Sequence, residues 1–110
     1  MTNIPKRLGT GAEVAVVRYL RHFFPSVERR ALAGINDRGD IAGLTGLVVE
    51  VKNHRALDLA GWVGEAQRES AGCPDLGVVW HKRRGKGSPA DWYVTMDGAT
   101  FVALLKETGR

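Results

Sequence analysis

The sequence predicts an α/β domain in which helices pack on one mixed sheet of five strands, in the order α-β-β-β-α-β-β-α. Three observations carry this. Segments with apolar residues at helical spacing alternate with short valine-rich runs. Clusters of glycine, asparagine, aspartate and proline separate them. The 110 residues suffice for one domain and are too few for two, so a single sheet covered by helices is the economical way to bury every apolar face.

The elements follow in order. Residues 9–24 read as a helix, because Val16, Val17, Leu20, Phe23 and Phe24 recur at helical spacing and Pro25 ends the run. Residues 27–34 read as a strand, with turn chemistry at 36–39. Residues 40–43 form a short strand and 47–52 a stronger one, rich in valine, with Leu44, Thr45 and Gly46 as the hairpin loop between them. Residues 57–71 read as a second helix with Asp58 as its cap, and Leu59, Val63, Ala66 and Ser70 share a face. Residues 72–75 form its exit. Residues 76–82 are almost continuously apolar, as a buried central strand would be. A basic, glycine-containing loop at 83–90 leads to an alternating strand at 91–96. Asp97 then caps a last helix that ends near Thr108.

Bulk composition narrows the function classes. The net charge is +4 and the pI about 9.6, which favours a polyanionic partner. Arginine supplies eleven of the sixteen cations. It suits planar, bidentate grip on phosphate, although a GC-rich genome would produce the same bias. Cys73 is the single cysteine, so it forms no internal disulfide and no cysteine-based zinc site. It reads as a small buried residue at a helix exit. No apolar run reaches the length of a membrane span, and the N-terminus lacks a signal-peptide core. A soluble, cytoplasmic protein is expected.

The segment that carries chemistry is Gly39-Asp40-Ile41-Ala42-Gly43, followed by Val49-Glu50-Val51-Lys52. Glu50 and Lys52 lie two apart on one strand, so they share a face. The position of Asp40 depends on hairpin register. A two-residue loop at Thr45-Gly46 sets it against Val51, on the other face. A three-residue loop sets it opposite Glu50, and Gly46 suits that loop. Two opposed carboxylates repel unless a cation bridges them, and Mg²⁺ accepts a few carboxylates plus water and phosphate oxygens. Lys52 can orient an attacking water or stabilise phosphate charge. The competing interpretation is a surface hairpin whose Glu and Lys pair across solvent.

Glu13 lies on the apolar stripe of the first helix, where an unpaired charge is costly. Its target is the metal site or Lys52, unless it only complements the helix N-terminus. Gln67 shares the expected inner face of the second helix. It either supports the site or satisfies the backbone.

At these residues the chain resembles the PD-(D/E)xK nuclease superfamily, and within it the archaeal-type Holliday junction resolvases. The resembling segments are Gly11-Ala12-Glu13-Val14 with Tyr19-Leu20, then Gly39-Asp40-Ile41-Ala42-Gly43, Glu50-Val51-Lys52-Asn53, and Gly77-Val78-Val79-Trp80-His81-Lys82. They span roughly residues 6 to 96. Gly39 stands where the family has a proline, and residues 33–38 lack the serine that resolvases often carry there. The resemblance implies a restriction-endonuclease-like core. Asp40, Glu50 and the Val51 backbone carbonyl would hold Mg²⁺, with Mn²⁺ able to substitute. Glu13 would act on the metal through a water, Lys52 would be the catalytic lysine, and Asn53 would be a supporting residue. It also implies a homodimer that nicks opposing strands of a four-way DNA junction. The small-domain form suits a phage or mobile-element protein.

For contact with DNA the candidates are Lys82, Arg83, Arg84 and Lys86 in the basic loop, Arg29 and Arg30 on the first strand, and Lys6 and Arg7 before the first helix. Trp80 and Trp92 read as packing residues. Trp62 falls off the expected apolar face, beside Glu65 and Glu69, and is a candidate exposed dimer anchor. His22, His54 and His81 show no metal-ligand spacing, and His54 reads as a surface residue. The leading expectation is a Mg²⁺-dependent endonuclease acting on branched DNA. The alternatives are a nuclease of the same superfamily acting on ends, flaps or duplex sites, and a non-catalytic nucleic-acid-binding protein that keeps the fold.

Overall fold

β3, Leu47–Lys52, and β4, Leu76–His81, lie side by side and parallel, with Leu47 opposite Leu76 and Lys52 opposite His81. Parallel neighbours need a crossover, and α2, Leu59–Ser70, supplies it. β5, Tyr93–Thr95, adds antiparallel to β4 and completes a mixed three-stranded sheet. A second sheet has two short strands, β1 at Glu28–Arg29 and β2 at Ile41–Ala42, paired antiparallel. α1, Ile4–Arg21, and α3, Gly98–Glu107, complete the α/β architecture. The computed structural model describes residues 4–30, 39–71 and 75–109, with side chains described from residue 9 onward.

Strand alternation sorts the core into two layers. On one face Val49, Val51 and Val78 meet Ala12, Val16, Val17 and Leu20 of α1, together with Val27, Ile41 and Trp92. Each fully buried valine here contributes roughly 2 kcal/mol of transfer free energy. On the other face Val79 packs against Trp62 and Ala66 of α2. Gly77 lets α2 lie close, because a Cβ there would collide with the Ala66 carbonyl.

Most elements lie where the residue pattern predicts, and the differences have physical causes. β3 spans 47–52 as expected, and Asp58 and Asp97 cap α2 and α3, accepting from the N–H groups of Gly61 and Thr100 at 3.1 and 3.0 Å. α1 begins earlier than expected, at Ile4, and runs through Gly9 and Gly11. Pro5 falls in its first turn, where the missing backbone N–H has no intrahelical partner to lose. The helix ends at Arg21, whose Nε donates to the Val27 carbonyl at 2.7 Å. Phe23 and Phe24 lie beyond the helix and are 60% and 53% exposed, so they do not extend its buried stripe. The expected strand at 27–34 is observed only as β1. Val27 and Arg30 flank it outside the ladder, and residues 31–34, the turn at 36–38 and Cys73 lie outside the described residues.

The expected five-stranded sheet is two sheets among the described residues, because the β2–β3 hairpin ladder does not form. Leu47 N–H bonds the Leu44 carbonyl at 3.3 Å, which closes a turn centred on Thr45 and Gly46. This is the two-residue loop, not the three-residue one. Gly43 and Gly39, with φ of +96° and +84°, then bend β2 away. Gly43 lies against the Ser26 carbonyl and Gly39 against that of Val49, approaches that a side chain would block.

Replacing Gly77 by alanine should push α2 off the sheet and cost roughly 2 kcal/mol. Urea denaturation checks this: the midpoint should fall with the slope unchanged.

Candidate functional site

Alternation points Glu50 and Lys52 away from α1 and toward α2. Glu50 is 4% exposed, in the middle of a valine-rich strand. α2 meets this face with Trp62, Glu65, Ala66 and Glu69, a stripe at i, i+3, i+4 and i+7. The Lys52 Nζ lies 2.8 Å from Glu65 Oε1 and 4.0 Å from Glu50 Oε1. Carboxylate oxygens of Glu50, Glu65 and Glu69 all lie within 4.8 Å of one another. Glu69 also accepts from the Gly39 N–H at 2.9 Å, which ties α2 to the start of the Asp40 segment.

Asp40 reaches this centre by a staple instead of a hairpin register. Its N–H donates to the Val49 carbonyl at 2.8 Å, and its carboxylate accepts from the Val51 N–H at 2.7 Å. Asp40 therefore brackets Glu50 from both sides. With the β2–β3 ladder absent, the backbone of Asp40 meets Val49 and only its side chain reaches Val51, which keeps its charge near Glu50. Glu13 comes from α1 and pairs with Arg29 at 3.1 Å. Its charge also disfavours ionisation of Asp40. Five of the twelve acids of a net cationic chain are thus linked in one electrostatic network.

The network leaves strong protonation signatures. Burial, foremost, with Glu13 and Glu69 adding, pushes the Asp40 carboxyl up to about 6 against the pull of the Val51 N–H and Lys52. Burial also pushes Glu50 up to about 10, reinforced by Glu65, Asp40 and Glu69. Glu65 moves the other way: burial opposes its ionisation, but a proton on Glu50 and the Lys52 ammonium outweigh it. The pair therefore keeps its proton on Glu50. Burial pulls Lys52 down, but Glu65 and then Glu50 and Asp40 hold it above the ordinary lysine range. Among the described residues the buried Glu69 Oε2 has no hydrogen-bond donor.

The remaining candidates fall outside this centre. Gln67 is exposed and donates to Asp97 at 2.6 Å, which joins α2 to the cap of α3. Asn53 lines a cavity of about 290 Å³ with Gly11, Ala15, Lys82 and Trp92. Arg30 has a buried Nε with no hydrogen-bond partner among the described residues. In the basic loop Lys82 lies over the Trp92 ring at 5.7 Å and Arg83 over Tyr93 at 5.2 Å, while Arg84 and Lys86 are exposed. Lys6 and Arg7 belong to α1 instead of preceding it, and their side chains lie outside the described residues.

Trp62 is 7% exposed, not a surface anchor. It stacks between His54 and His81, with centroids at 5.5 and 5.7 Å. The face expected from Leu59, Val63, Ala66 and Ser70 is met in part: Ala66 and Val63 pack with Trp62 and Val79, Leu59 is 39% exposed, and Glu65 and Glu69 cluster with Glu50 beneath the helix. The missed residues, Glu65 and Glu69, had a signal. They share a helical stripe with Trp62 and Ala66, and a strand bearing Glu50 and Lys52 offers them a polar surface to meet. No family model, curated protein or solved structure matches the chain.

The raised carboxyls have a consequence for stability. Between pH 5 and 8, roughly, the folded state holds protons on Glu50, and on Asp40 at the acidic end, that the unfolded chain releases, so stability falls as pH rises. Glu65 is ionised in both states there and adds no slope. Without divalent cations, the melting temperature should fall across this window, and Glu50→Gln should flatten the profile and raise it by several degrees at pH 8. A flat wild-type profile by circular dichroism would show that Glu50 ionises normally.

Proposed function

We propose that the chain is a metal-dependent DNA endonuclease with a restriction-endonuclease-like core, acting on branched DNA such as a four-way junction. The observation that supports this most is the buried pairing of Glu50 and Lys52 on one sheet face, bracketed by Asp40 and met by further acids. Simple phosphate binding has no use for such a set, because carboxylates repel a phosphate unless a cation intervenes. The order α1-β1-β2-β3-α2-β4 is also that of the core implied by the resemblance.

The donor set fits a hard divalent cation. It is all oxygen, and among the described residues Glu50 has no cation nearer than Lys52 at 4.0 Å and the buried Glu69 Oε2 has no hydrogen-bond donor. Glu50 would hold Mg²⁺ or Mn²⁺, with Asp40 and the Val51 carbonyl as the further ligands that the resemblance implies. Bound there, the ion supplies Lewis-acid polarisation of the phosphodiester and a lowered water pKa. The chain's own residues do the rest. Lys52, held by Glu65, is a fixed positive charge that can orient the attacking water and stabilise the phosphate as charge develops. Arg84 and Lys86, exposed at a turn through Gly85, can meet the backbone without carrying sequence information. A homodimer would set two such sites on opposing strands.

Purified protein should nick four-way junctions when Mg²⁺ or Mn²⁺ is added, and Lys52→Ala should bind junctions yet cut at least about a hundredfold more slowly. Linear duplex, flap and single-strand substrates run in parallel identify the preferred structure. Unchanged cutting by Lys52→Ala would rule the assignment out. Removing Arg84 and Lys86 together should weaken binding uniformly across sequences and lower the salt-dependence slope by roughly two. Fluorescence anisotropy at several salt concentrations measures this.

A further inference from the structure

The carboxyl ends of β3 and β4 open onto a cavity of about 290 Å³ that the acid–lysine centre does not use. The Lys82 N–H donates to the Lys52 carbonyl at 2.9 Å, which carries the parallel pairing one step past the strands. Asn53 and Lys82 therefore stand side by side beyond β3 and β4, at the end of the sheet where α/β proteins hold their ligands. Strand alternation turns Lys52 toward α2 and Asn53 toward α1. The cavity thus lies on the α1 side of β3, between Gly11 and Ala15 of α1 and the loop that carries Gly87 and Trp92. We propose that it takes a single nucleotide, with the phosphate on Lys82, the sugar and base against Ala15 and Trp92, and the Asn53 amide offering a donor and an acceptor between them. A nucleotide within a DNA strand and a free nucleotide share that chemistry. The strand form deepens the nuclease reading above and rests on it, whereas the cavity and its ligand class do not.

The lining defines the ligand. Among the described residues Lys82 makes no ion pair, and its ammonium lies 5.7 Å from the centre of the Trp92 ring instead. A lysine without an acid on a cavity wall is placed to take an anion, and phosphate is the anion it suits. A bare phosphate would leave Ala15 and Trp92 uncovered, and an apolar molecule would leave Lys82 and Asn53 unanswered. A nucleotide meets both requirements. Glycine keeps the space open where nothing else calls for it. A Cβ at Gly11 or Gly87 would meet no atom within 4 Å beyond its own chain neighbours, and neither residue has a positive φ. Glycine is unfavourable inside a helix, so what Gly11 contributes is room. The opposite wall is fixed in advance. Trp92 Nε1 donates to the Lys86 carbonyl at 2.8 Å, and Trp80 Nε1 donates to the Pro89 carbonyl at 3.2 Å. The volume is near the lower end of small-molecule sites, roughly 300 Å³, which suits one nucleotide and not a larger cofactor. Lys52 and Asn53 are consecutive, so a strand with a phosphate at Lys52 can set a neighbouring nucleotide into the cavity around the end of β3.

Titration of the isotope-labelled full chain with thymidine monophosphate, followed by NMR without divalent cations, tests the assignment. Signals of the Trp92 indole, the Asn53 side-chain amide and the Gly87 N–H should shift together and saturate. Thymidine and inorganic phosphate each carry half of the chemistry and should bind at least about tenfold more weakly. Lys82→Ala should weaken binding at least about fivefold, and Lys82→Arg should stay within about twofold of wild type. Gly11→Leu should weaken binding as Lys82→Ala does, while its melting temperature stays level or rises, because leucine favours a helix and has space there. Wild-type affinity in both Gly11→Leu and Lys82→Ala would overturn the site, as would inorganic phosphate binding as tightly as the nucleotide, or no saturable shift at the cavity. A short single-stranded oligonucleotide distinguishes the two sources. The same shifts at lower concentration than the monophosphate needs identify a strand, and the same shifts only at higher concentration identify a free nucleotide. Nicking assays keep this site apart from the nuclease reading. A nucleotide held in the cavity of a protein that cuts nothing would remove the nuclease and leave the site. Cutting by a protein with no saturable shift at the cavity would remove the site and leave the nuclease.

Discussion

Glu50 sits on β3 between Val49 and Val51, and at 4% exposure its carboxyl is out of water. An ionised carboxylate in such a place costs far more than a small domain can spare, so the surroundings must neutralise it. Everything near it does so by a different route. Lys52 brings a positive charge from the next position on the same face, and Glu65 and Glu69 offer acceptors for a proton. Asp40 is tied to the strand on either side. The site is therefore an arrangement around one buried acid, and the folded chain without a cation holds a proton there.

That constraint explains the architecture around it. The two faces of β3 separate the tasks: Val49 and Val51 anchor the strand to α1, while Glu50 and Lys52 look toward α2. The parallel β3–α2–β4 crossover is what brings Glu65 and Glu69 over that second face. Gly77 lets the helix come close, and Trp62 seals its other end against His81. The stability that the buried acid forgoes is supplied by the valine layer beneath it.

Legibility in the sequence varied with the range of the interactions involved. β3, the Asp58 and Asp97 caps and the pairing of Glu50 with Lys52 on one face follow from local rules, because strand alternation and capping act over a few residues. Asp40 was recognisable as a participant, but its manner of arrival was not. The expected hairpin register gave way to a backbone and side-chain staple, since two glycines with positive φ bend β2 off β3. The inner face of α2 is legible only in part for a related reason. Val63 and Ala66 pack inward as their spacing predicts, but Leu59 is exposed, and because the opposing surface carries Glu50 and Lys52 the helix turns Glu65 and Glu69 inward.

By itself the sequence determined the α/β class, the caps, the cationic balance and the acid–lysine pair on one strand. These depend on residue type and short spacing. Only the tertiary structure decided that the expected sheet divides in two, that Trp62 is buried, and that Glu65 and Glu69 complete the centre around Glu50. Those outcomes depend on which surface each face meets. A helix cannot state whether its acids lie in water or over a buried glutamate until the strand beneath it is in place.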